Sequence, residues 1–298
     1  MYTQKNIISS GNCKFKLGSL DIWIVTDGES IIAPIQPMFA PNIEPKQVTD
    51  LLEQHFLATD KITLAGNILL VKSNGKTILI DTGCGLQLSP TTGRLVENLQ
   101  EAGISQEEIT DIILTHAHPD HIGGLTDVSG KLTFPNAQIY ISKIEFDYWM
   151  AEEPDFTKGT KNEIADFEVM FAKQIFNSIH SNFHFFEDGE ILFDCLKLEI
   201  APGHTPGHAI LTIFSDNEEL VHIADTFQHI LLLEHPEWGN QIDSDFNLAI
   251  ETRTRISEQL VVSKKLVFAD HLPFPGLGFI KKTGKIYQWV PLTYYTTH

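Results

Sequence analysis

Short apolar runs separated by turn residues dominate the first third of the chain. Segment 67–83, NILLVKSNGKTILIDTG, holds two such runs around Asn74-Gly75, and this dipeptide supplies the positive φ angles of a type I′ turn. The pattern predicts a β-hairpin. Further on, SQEE at 105–108 has the spacing of a capping box that opens a short helical turn, and DIILT at 111–115 predicts a buried strand.

Helical spacing of apolar residues marks three other segments. The first begins near Leu95 and ends at Gly103, a residue type that commonly follows a helix C-terminus. The second runs from about Phe246 to Val262. Segment 143–178 also has a helical pattern and is rich in aromatic residues.

The second half of the chain repeats the alternation of strands and helices. Strands are predicted for LKLEI (196–200), AILTIF (209–214), ELVHIAD (219–225, with His222 inside the strand) and KLVFAD (265–270). We find no internal repeat and no linker. The order of elements therefore predicts one domain, residues 1–298, of the α/β (α+β) class, in which helices cover two sheets packed face to face.

Composition excludes several classes of partner. The 298 residues are 42% hydrophobic and 20% charged, which is typical of a globular chain, and the formal net charge is −18. Such an acidic chain argues against nucleic acid or an anionic membrane as the main partner. The densest basic group, Lys281, Lys282 and Lys285, is interpreted as an exposed hairpin. A small-molecule substrate is expected, and a homodimer is compatible with the sequence.

Cysteine usage and the N-terminus indicate the compartment. Cys13, Cys84 and Cys195 form neither a disulfide framework nor a CxxC zinc motif, so we expect three free thiols in a reducing environment. The first residues lack the basic and apolar regions of a signal peptide, and no apolar stretch reaches the about 18 residues of a membrane span. These features predict a cytoplasmic protein.

Candidate functional residues lie on four loops at predicted strand ends, where a rigid sheet can aim them. The loops are HAHPDH (116–121), APGHTPGH (201–208), the ADT that contains Asp225, and the ADHLPFPG that contains His271. Each lies at the end of one of the predicted strands or directly after it. The four loops together therefore form the candidate site.

The first loop concentrates titratable side chains. His116 and His118 alternate on an extended segment and point the same way, whereas Pro119 bends the chain so that Asp120 and His121 project from the turn. A single histidine is usually an ordinary surface or core residue. Neutral imidazoles and a carboxylate packed this closely are instead ligands for zinc or a similar metal, because a divalent cation satisfies them together. The loop predicts a metal site.

These motifs resemble those of the metallo-β-lactamase superfamily. The HxHxDH pattern of 116–121, the IDTG of 80–83 and the PGHTPGH of 202–208 carry the resemblance. Within the superfamily, the chain is most similar to the branch of methyl parathion hydrolase and related lactonases, through MFAPNIEPKQVTDLL (38–52), HPEW (235–238), DSDFNLAIETR (243–253) and DHLPFPGLG (270–278). The resemblance implies a four-layer αβ/βα sandwich.

The resemblance also implies a site for two divalent metal ions, most simply zinc. One ion would be held by His116, His118 and His204, the other by Asp120, His121 and His271, and Asp225 would bridge both. A hydroxide between ions about 3.5–4 Å apart would be the nucleophile. Asp120 would in addition be catalytic, because its second carboxylate oxygen could orient the nucleophile or pass a proton to the leaving group.

Four further residues have two interpretations each. Asp81 either orients a ligand histidine from behind or caps its own turn. His208 is expected to be structural or to lie behind the ligands. Trp149 and Phe274 either line an apolar substrate pocket or belong to the ordinary core.

The expected activity is hydrolysis of an ester, lactone or phosphotriester bond. Acyl-homoserine lactonases of the family carry a tyrosine just after the bridging aspartate, but Thr226 and Phe227 follow Asp225 here, which argues against a specialised lactonase. Alternatives are a glyoxalase II-like thioesterase, which requires a basic pocket, and a β-lactamase. A redox di-iron protein and a metal-binding scaffold without catalysis are more distant alternatives.

Overall fold

The computed structural model describes residues 10–85, 88–159, 163–179 and 183–293. Within these ranges the first half of the chain builds a seven-stranded sheet in simple chain order. Its strands are β1 (Asn12–Leu17), β2 (Leu20–Ile32), β3 (Ile62–Ser73), β4 (Lys76–Ile80), β5 (Asp111–Ile113), β6 (Gln138–Ser142) and β7 (Phe183–Phe186). Strands β1 to β4 pair antiparallel, and β4 to β7 pair parallel.

The second half builds another seven-stranded sheet within the described residues. Its strands are β8 (Ile191–Leu192), β9 (Leu196–Ile200), β10 (Ala209–Ser215), β11 (Glu218–His222), β12 (Leu266–Phe268), β13 (Leu277–Thr283) and β14 (Ile286–Pro291). Neighbours pair antiparallel, except that β11 and β12 are parallel.

Helices cover the outer face of each sheet. They are α1 (Pro45–Gln54), α2 (Leu95–Glu101), α3 (Pro119–Ile122), α4 (Lys143–Met150), α5 (Glu163–Ile179), α6 (Ile230–Glu234) and α7 (Phe246–Ser263). Helices α2, α4 and α5 share one apolar cluster with the first sheet, whereas α1, α6 and α7 share another with the second sheet. The predicted αβ/βα sandwich is confirmed.

Strand β2 shows why its apolar run is continuous rather than alternating. Ile22 and Ile24 point into the core between the sheets, whereas Trp23 and Val25 point toward the helices. Successive side chains of a strand face opposite sides, so a strand in a middle layer is apolar on both faces.

Parallel pairing brings the functional loops together. Strands β4, β5 and β6 end at one edge of their sheet, and β11 and β12 end at the facing edge of theirs. Backbone hydrogen bonds join the two edges: the Ala209 N–H donates to the Thr115 carbonyl at 2.9 Å, and the Asn67 N–H donates to the Asp270 carbonyl at 2.9 Å. The loops that follow these strands therefore form a single rim.

Most local predictions are confirmed. Asn74 and Gly75 have φ angles of 47° and 79° between β3 and β4, and the capping box at 105–108 is present. Helix α7 extends one residue beyond the predicted end. Segment 143–178 contains α4 and all of α5 except its last residue, and residues 160–162 of the segment lie outside the described ranges. The lysine-rich segment lies at the exposed end of the hairpin that β13 and β14 form.

Three strand predictions were too long: β5 ends at Ile113 rather than at residue 115, β12 covers Leu266–Phe268 rather than 265–270, and β11 is also shorter than predicted. Strand β11 ends at His222, and Asp225 lies in a 3₁₀ turn, Ala224–Thr226, rather than on the strand. Within the described part of the chain, no helix combines the length and the apolar character needed to cross a bilayer.

Replacement of Leu211 by Ala tests the core between the sheets. Leu211 is fully buried there, so truncation removes apolar contacts from both layers and leaves a cavity. We expect the free energy of unfolding to fall by about 2–5 kcal/mol, measured by urea denaturation at one fixed zinc concentration. Val262→Ala, at a position that is 79% exposed, is the matched control and should change it by less than about 0.5 kcal/mol. Equal effects of the two substitutions would contradict the assignment of this core.

Candidate metal centre

Asp81 organises the loop after β5. Its Oδ1 accepts the Thr115 backbone N–H at 2.8 Å, and its Oδ2 accepts the Thr115 hydroxyl at 2.7 Å. The same Oδ2 lies 2.8 Å from Nδ1 of His121. The structure therefore places Asp81 behind His121, where it orients the ring so that Nε2 faces the site.

Two glycines allow the 80–85 loop to pack directly on this segment. The N–H and the hydroxyl of Thr82 both donate to the His121 carbonyl, at 2.8 and 2.9 Å. A Cβ on Gly124 would lie 2.1 Å from the Thr82 carbonyl oxygen, and one on Gly123 would lie 2.2 Å from the Cys84 carbonyl oxygen. A side chain at either position would separate the two loops.

The first cluster, defined here as His116, His118, His204 and Asp225, has its candidate ligand atoms within 4.8 Å of one another. All four side chains are buried. Asp225 Oδ2 lies 3.2 Å from His204 Nε2 and 3.8 Å from His116 Nε2.

The second cluster, defined as Asp120, His121 and His271, meets the same criterion. His271 Nε2 lies 3.5 Å from Asp120 Oδ2 and 3.0 Å from Asp225 Oδ1. His121 Nε2 lies 3.3 Å from Asp225 Oδ1. One oxygen of Asp225 thus faces each cluster, as a bridging ligand would.

Several inward-facing atoms of the two clusters are buried without a hydrogen-bond partner. They are Nε2 of His121, His204 and His271, and Oδ1 of Asp225. Buried polar atoms are rarely left unsatisfied, because each costs about 1–3 kcal/mol. Cations bound between these nitrogens and oxygens would satisfy all of them, so the residues present fit two divalent metal ions.

Outward-facing ring atoms fix the histidine tautomers. His204 Nδ1 donates to Asp243 Oδ1 at 2.8 Å, and the second oxygen of Asp243 pairs with buried Arg253 at 3.2 Å. His271 Nδ1 donates to the Ala65 carbonyl at 2.8 Å. When either ring is neutral, its one proton sits on Nδ1, so the Nε2 lone pair is available to a metal.

His208 has a different position from the two clusters. Its Nδ1 donates to the Ala201 carbonyl at 3.0 Å, and its Nε2 accepts the backbone N–H of Asp225 at 3.0 Å. Burial lowers the pKa of His208 to about 3, so the ring is neutral and can accept this bond. The structure therefore places His208 where it holds the backbone of Asp225.

A cavity of about 400 Å³ opens onto the clusters. Its described wall is largely apolar, with Ile32, Phe39, Leu64, Ile164 and Phe167 among the lining residues. The few polar groups include the carboxyl of Glu168 and the amides of Gln228 and Asn240. An apolar wall with a few polar groups beside a reactive centre is typical of a small-molecule site.

The two aromatic residues predicted for the pocket do not line this cavity. Trp149 is fully buried beneath the first cluster, where its indole N–H donates to Glu145 and its ring lies edge-on to His118. Phe274 lines a separate cavity of about 600 Å³ on the other side of His271. Trp149 therefore belongs to the core, whereas half-buried Phe274 faces a cavity other than the one over the clusters.

Sequence reasoning missed several residues that touch the site. Asp243 and Arg253 lie behind His204, and Glu168 and Gln228 lie in the cavity wall. Asp243 and Arg253 are the first and last residues of DSDFNLAIETR (243–253), a segment that the sequence analysis used only as a sign of the family branch. Asp243 precedes α7 and Arg253 lies within it, so an ion pair between the two could have been predicted. No local pattern indicated that His204 would contact this pair.

The fold and the clusters together define a class of protein: an αβ/βα sandwich whose facing sheet edges carry two His/Asp clusters that share one carboxylate. The chain belongs to the metallo-beta-lactamase superfamily, whose family profile matches residues 62–271.

Known structures resemble the whole chain. AidC, described as a dizinc quorum-quenching lactonase in complex with a product N-hexnoyl-L-homoserine, is 40% identical with a TM-score of 0.91, over 96% of this chain and 99% of that one. The hydrolase AbOPH of the beta lactamase superfamily is 27% identical with a TM-score of 0.88, over 97% and 100% of the two chains.

Curated relatives match over shorter segments. An N-acyl homoserine lactonase of Bacillus cereus is 26% identical over 185 residues, which is 60% of this chain and 62% of that protein. The chain spans a little over half the length of the first curated relatives it matches.

Replacement of Asp243 by Asn tests the support of His204. An amide has only one acceptor oxygen, so it cannot accept hydrogen bonds from both His204 and Arg253 as the carboxylate does. The His204 ring would therefore lose its fixed orientation. We expect zinc affinity to fall about 10- to 100-fold, measured by competition with a chromophoric chelator. The control Asp216→Asn lies in the exposed β10–β11 turn and should bind as the unsubstituted protein does. Unchanged affinity for Asp243→Asn would contradict this role.

Metal uptake by the metal-free protein should strengthen as pH rises. Burial lowers the pKa of His204 and of His271, but the facing carboxylates, Asp225 above all, raise each pKa to about 9. Both rings are therefore protonated at neutral pH and must release protons to bind metal, so affinity should rise with pH up to about 9. Calorimetric zinc titrations at pH 7 in buffers of different ionisation enthalpy should show net proton release. Uptake without proton release would contradict the prediction.

Proposed function

We propose that the protein is a dinuclear metal-dependent hydrolase that opens lactones or cleaves similar carboxylic esters with an apolar acyl group. The observation that carries the proposal is the sharing of Asp225 between two clusters whose inward-facing atoms lack partners. The position of both clusters at the base of a largely apolar cavity supports it.

The seven residues of the two clusters would hold the metal ions. When bound, two divalent ions would polarise a carbonyl oxygen and lower the pKa of water toward neutrality. Zinc is the proposed metal, because histidine nitrogens and carboxylate oxygens suit it. The dizinc description of AidC, at 40% identity, supports the same choice.

Asp120 is the proposed catalytic residue among the ligands. Its side chain is 33% exposed and lines the cavity, whereas Asp225, the other carboxylate of the clusters, is buried. A carboxylate that faces substrate can bind a metal through one oxygen and carry a proton to the departing alkoxide on the other.

The chemistry of the cavity wall supports a lactone or ester with an acyl chain. The apolar side chains lining it would bury such a chain, and Glu168, Gln228 and Asn240 offer hydrogen bonds to its polar end. The product named for AidC, N-hexnoyl-L-homoserine, has this character. None of the described lining residues is a tyrosine, so the proposed activity would operate without the tyrosine of other lactonases.

The described cavity wall disfavours the thioesterase alternative. It contributes no lysine or arginine, so it provides no counter-charge for the carboxylates of a glutathione thioester. A β-lactam would also be a poorer fit than a flexible acyl chain for so apolar a wall. Phosphotriester hydrolysis needs the same metal chemistry and serves as a comparison substrate.

Purified protein should carry close to two metal ions per chain and hydrolyse acyl lactones faster than β-lactams or S-acyl glutathione. Elemental analysis and a panel that also contains aryl esters and a phosphotriester test this. Metal content well below one ion per chain together with full activity would reject the dinuclear centre. Preferred turnover of S-acyl glutathione would favour the thioesterase instead.

Asp120→Asn tests the proton-transfer role. The amide keeps the shape and one ligand oxygen but cannot carry the proton, so turnover should fall by roughly 10²–10⁴. The loss should be larger for alkyl esters than for p-nitrophenyl esters, whose leaving group departs without a proton. Metal content is measured in parallel, with exposed Asp60→Asn as control. An equal loss across the ester series at full occupancy would exclude proton transfer.

A further inference from the structure

Glu145 is a fully buried carboxylate that lies outside both clusters and outside the cavity wall. It occupies the third position of α4, and its side chain accepts four hydrogen bonds. Four hydrogen bonds satisfy all the acceptor sites of this buried carboxylate. The surrounding residues are therefore arranged to hold an ionised Glu145 side chain in one position.

The four donors come from three parts of the chain. Glu145 Oε1 accepts the Ala117 backbone N–H at 3.0 Å and the Trp149 indole N–H at 2.7 Å. Oε2 accepts the Thr205 hydroxyl at 2.7 Å and the Gly207 backbone N–H at 2.9 Å. Ala117 is 28 residues away from Glu145 in sequence, and Thr205 is 60 residues away.

These donors lie among the histidines of the first cluster. Ala117 separates His116 from His118, and Thr205 directly follows His204. One carboxylate therefore joins the loop after β5 to the loop between β9 and β10, which belong to different sheets. All three histidines of the first cluster depend on the relative position of these two loops.

The second loop packs closely enough on Glu145 to require glycine. A Cβ on Gly207 would lie 2.3 Å from the Glu145 backbone nitrogen and 2.7 Å from its Cα. The repeated Pro-Gly-His of segment 202–208 thus contains a residue whose small size brings the loop to the carboxylate. The second glycine of this segment has a packing role that the metal ligands alone do not explain.

The second cluster has separate supports. His121 is held by Asp81 and Thr82, and His271 is held by the Ala65 carbonyl. None of these three contacts involves Glu145. Loss of the Glu145 hydrogen bonds should therefore displace the ligands of the first cluster more than those of the second.

We propose that Glu145 is a positioning residue for the first cluster: its carboxylate joins the two loops that present His116, His118 and His204, and so sets the affinity of one of the two metal ions. The proposal rests on the dinuclear centre proposed above. It assigns no chemical step to Glu145.

Glu145→Gln discriminates this role from simple filling of space. Glutamine has nearly the same volume, but its NH₂ group donates and cannot accept. In either amide orientation, two of the four donors would face another donor, and the loops would separate. We expect the affinity for one ion to fall about 10- to 100-fold, while the affinity for the other changes less than about threefold.

The measurement is a titration of the metal-free full-length protein with Zn²⁺ against a chromophoric chelator. A parallel Co²⁺ titration followed by visible absorption identifies the weakened site by its spectrum. The matched control is Glu234→Gln, because Glu234 is also a buried glutamate but pairs with His55 away from both clusters. The control should bind both ions as the unsubstituted protein does.

Thr205→Val provides a second test if Glu145→Gln fails to fold. It removes one of the four hydrogen bonds at constant shape and should weaken the same single ion several-fold. Equal weakening of both ions, or folded variants with unchanged affinities, would overturn the proposal. An unsubstituted protein that binds only one ion would instead overturn the dinuclear centre itself.

Discussion

The carboxylate of Asp225 is the constraint on which the rest of the site depends. Four histidine Nε2 atoms lie within 3.8 Å of its two oxygens, and the whole group is buried. In a low-dielectric interior, such a group is stable only if its charge and its lone pairs are balanced. Protons can do this in part, but cations between the two clusters would satisfy every inward-facing atom at once.

The sandwich makes this concentration of polar groups possible. Each cluster draws ligands from loops of both sheets, so the sheets must keep a fixed relative position. The apolar core between them and the backbone hydrogen bonds across the rim supply that rigidity. A second set of polar groups, which includes Asp81, Asp243 and Glu145, then fixes the histidine rings, or the loops that carry them, relative to the sheets. Packing thus sets the coarse geometry, and hydrogen bonds behind the ligands set the fine geometry.

A feature could be predicted from the sequence when the residues that form it are close together along the chain. The hairpin at Asn74-Gly75 and the ligand cluster of 116–121 are local patterns, and local physical chemistry determines them. His204, Asp225 and His271 could be expected to join that cluster because each follows a strand, although the 3₁₀ turn at Asp225 has no clear local signal. Their grouping into two clusters came from the family resemblance.

Residues that act at long range could not be predicted in this way. Glu145 and Arg253 are charged residues within helices, and by sequence alone such residues belong on a solvated face. Only the tertiary structure shows that both are buried and hydrogen-bonded to several partners. The two interpretations of Trp149 could not be separated for a related reason: the ring is distant in sequence from every candidate ligand, and only the tertiary structure shows that it lies buried beneath the first cluster.

The most direct test of the central claim is a crystal structure of the metal-loaded protein with anomalous diffraction recorded on both sides of the zinc absorption edge. The account predicts two anomalous peaks about 3.5–4 Å apart, with one oxygen of Asp225 toward each. A single peak, or two peaks with no contact to Asp225, would contradict the shared carboxylate and the dinuclear centre built on it.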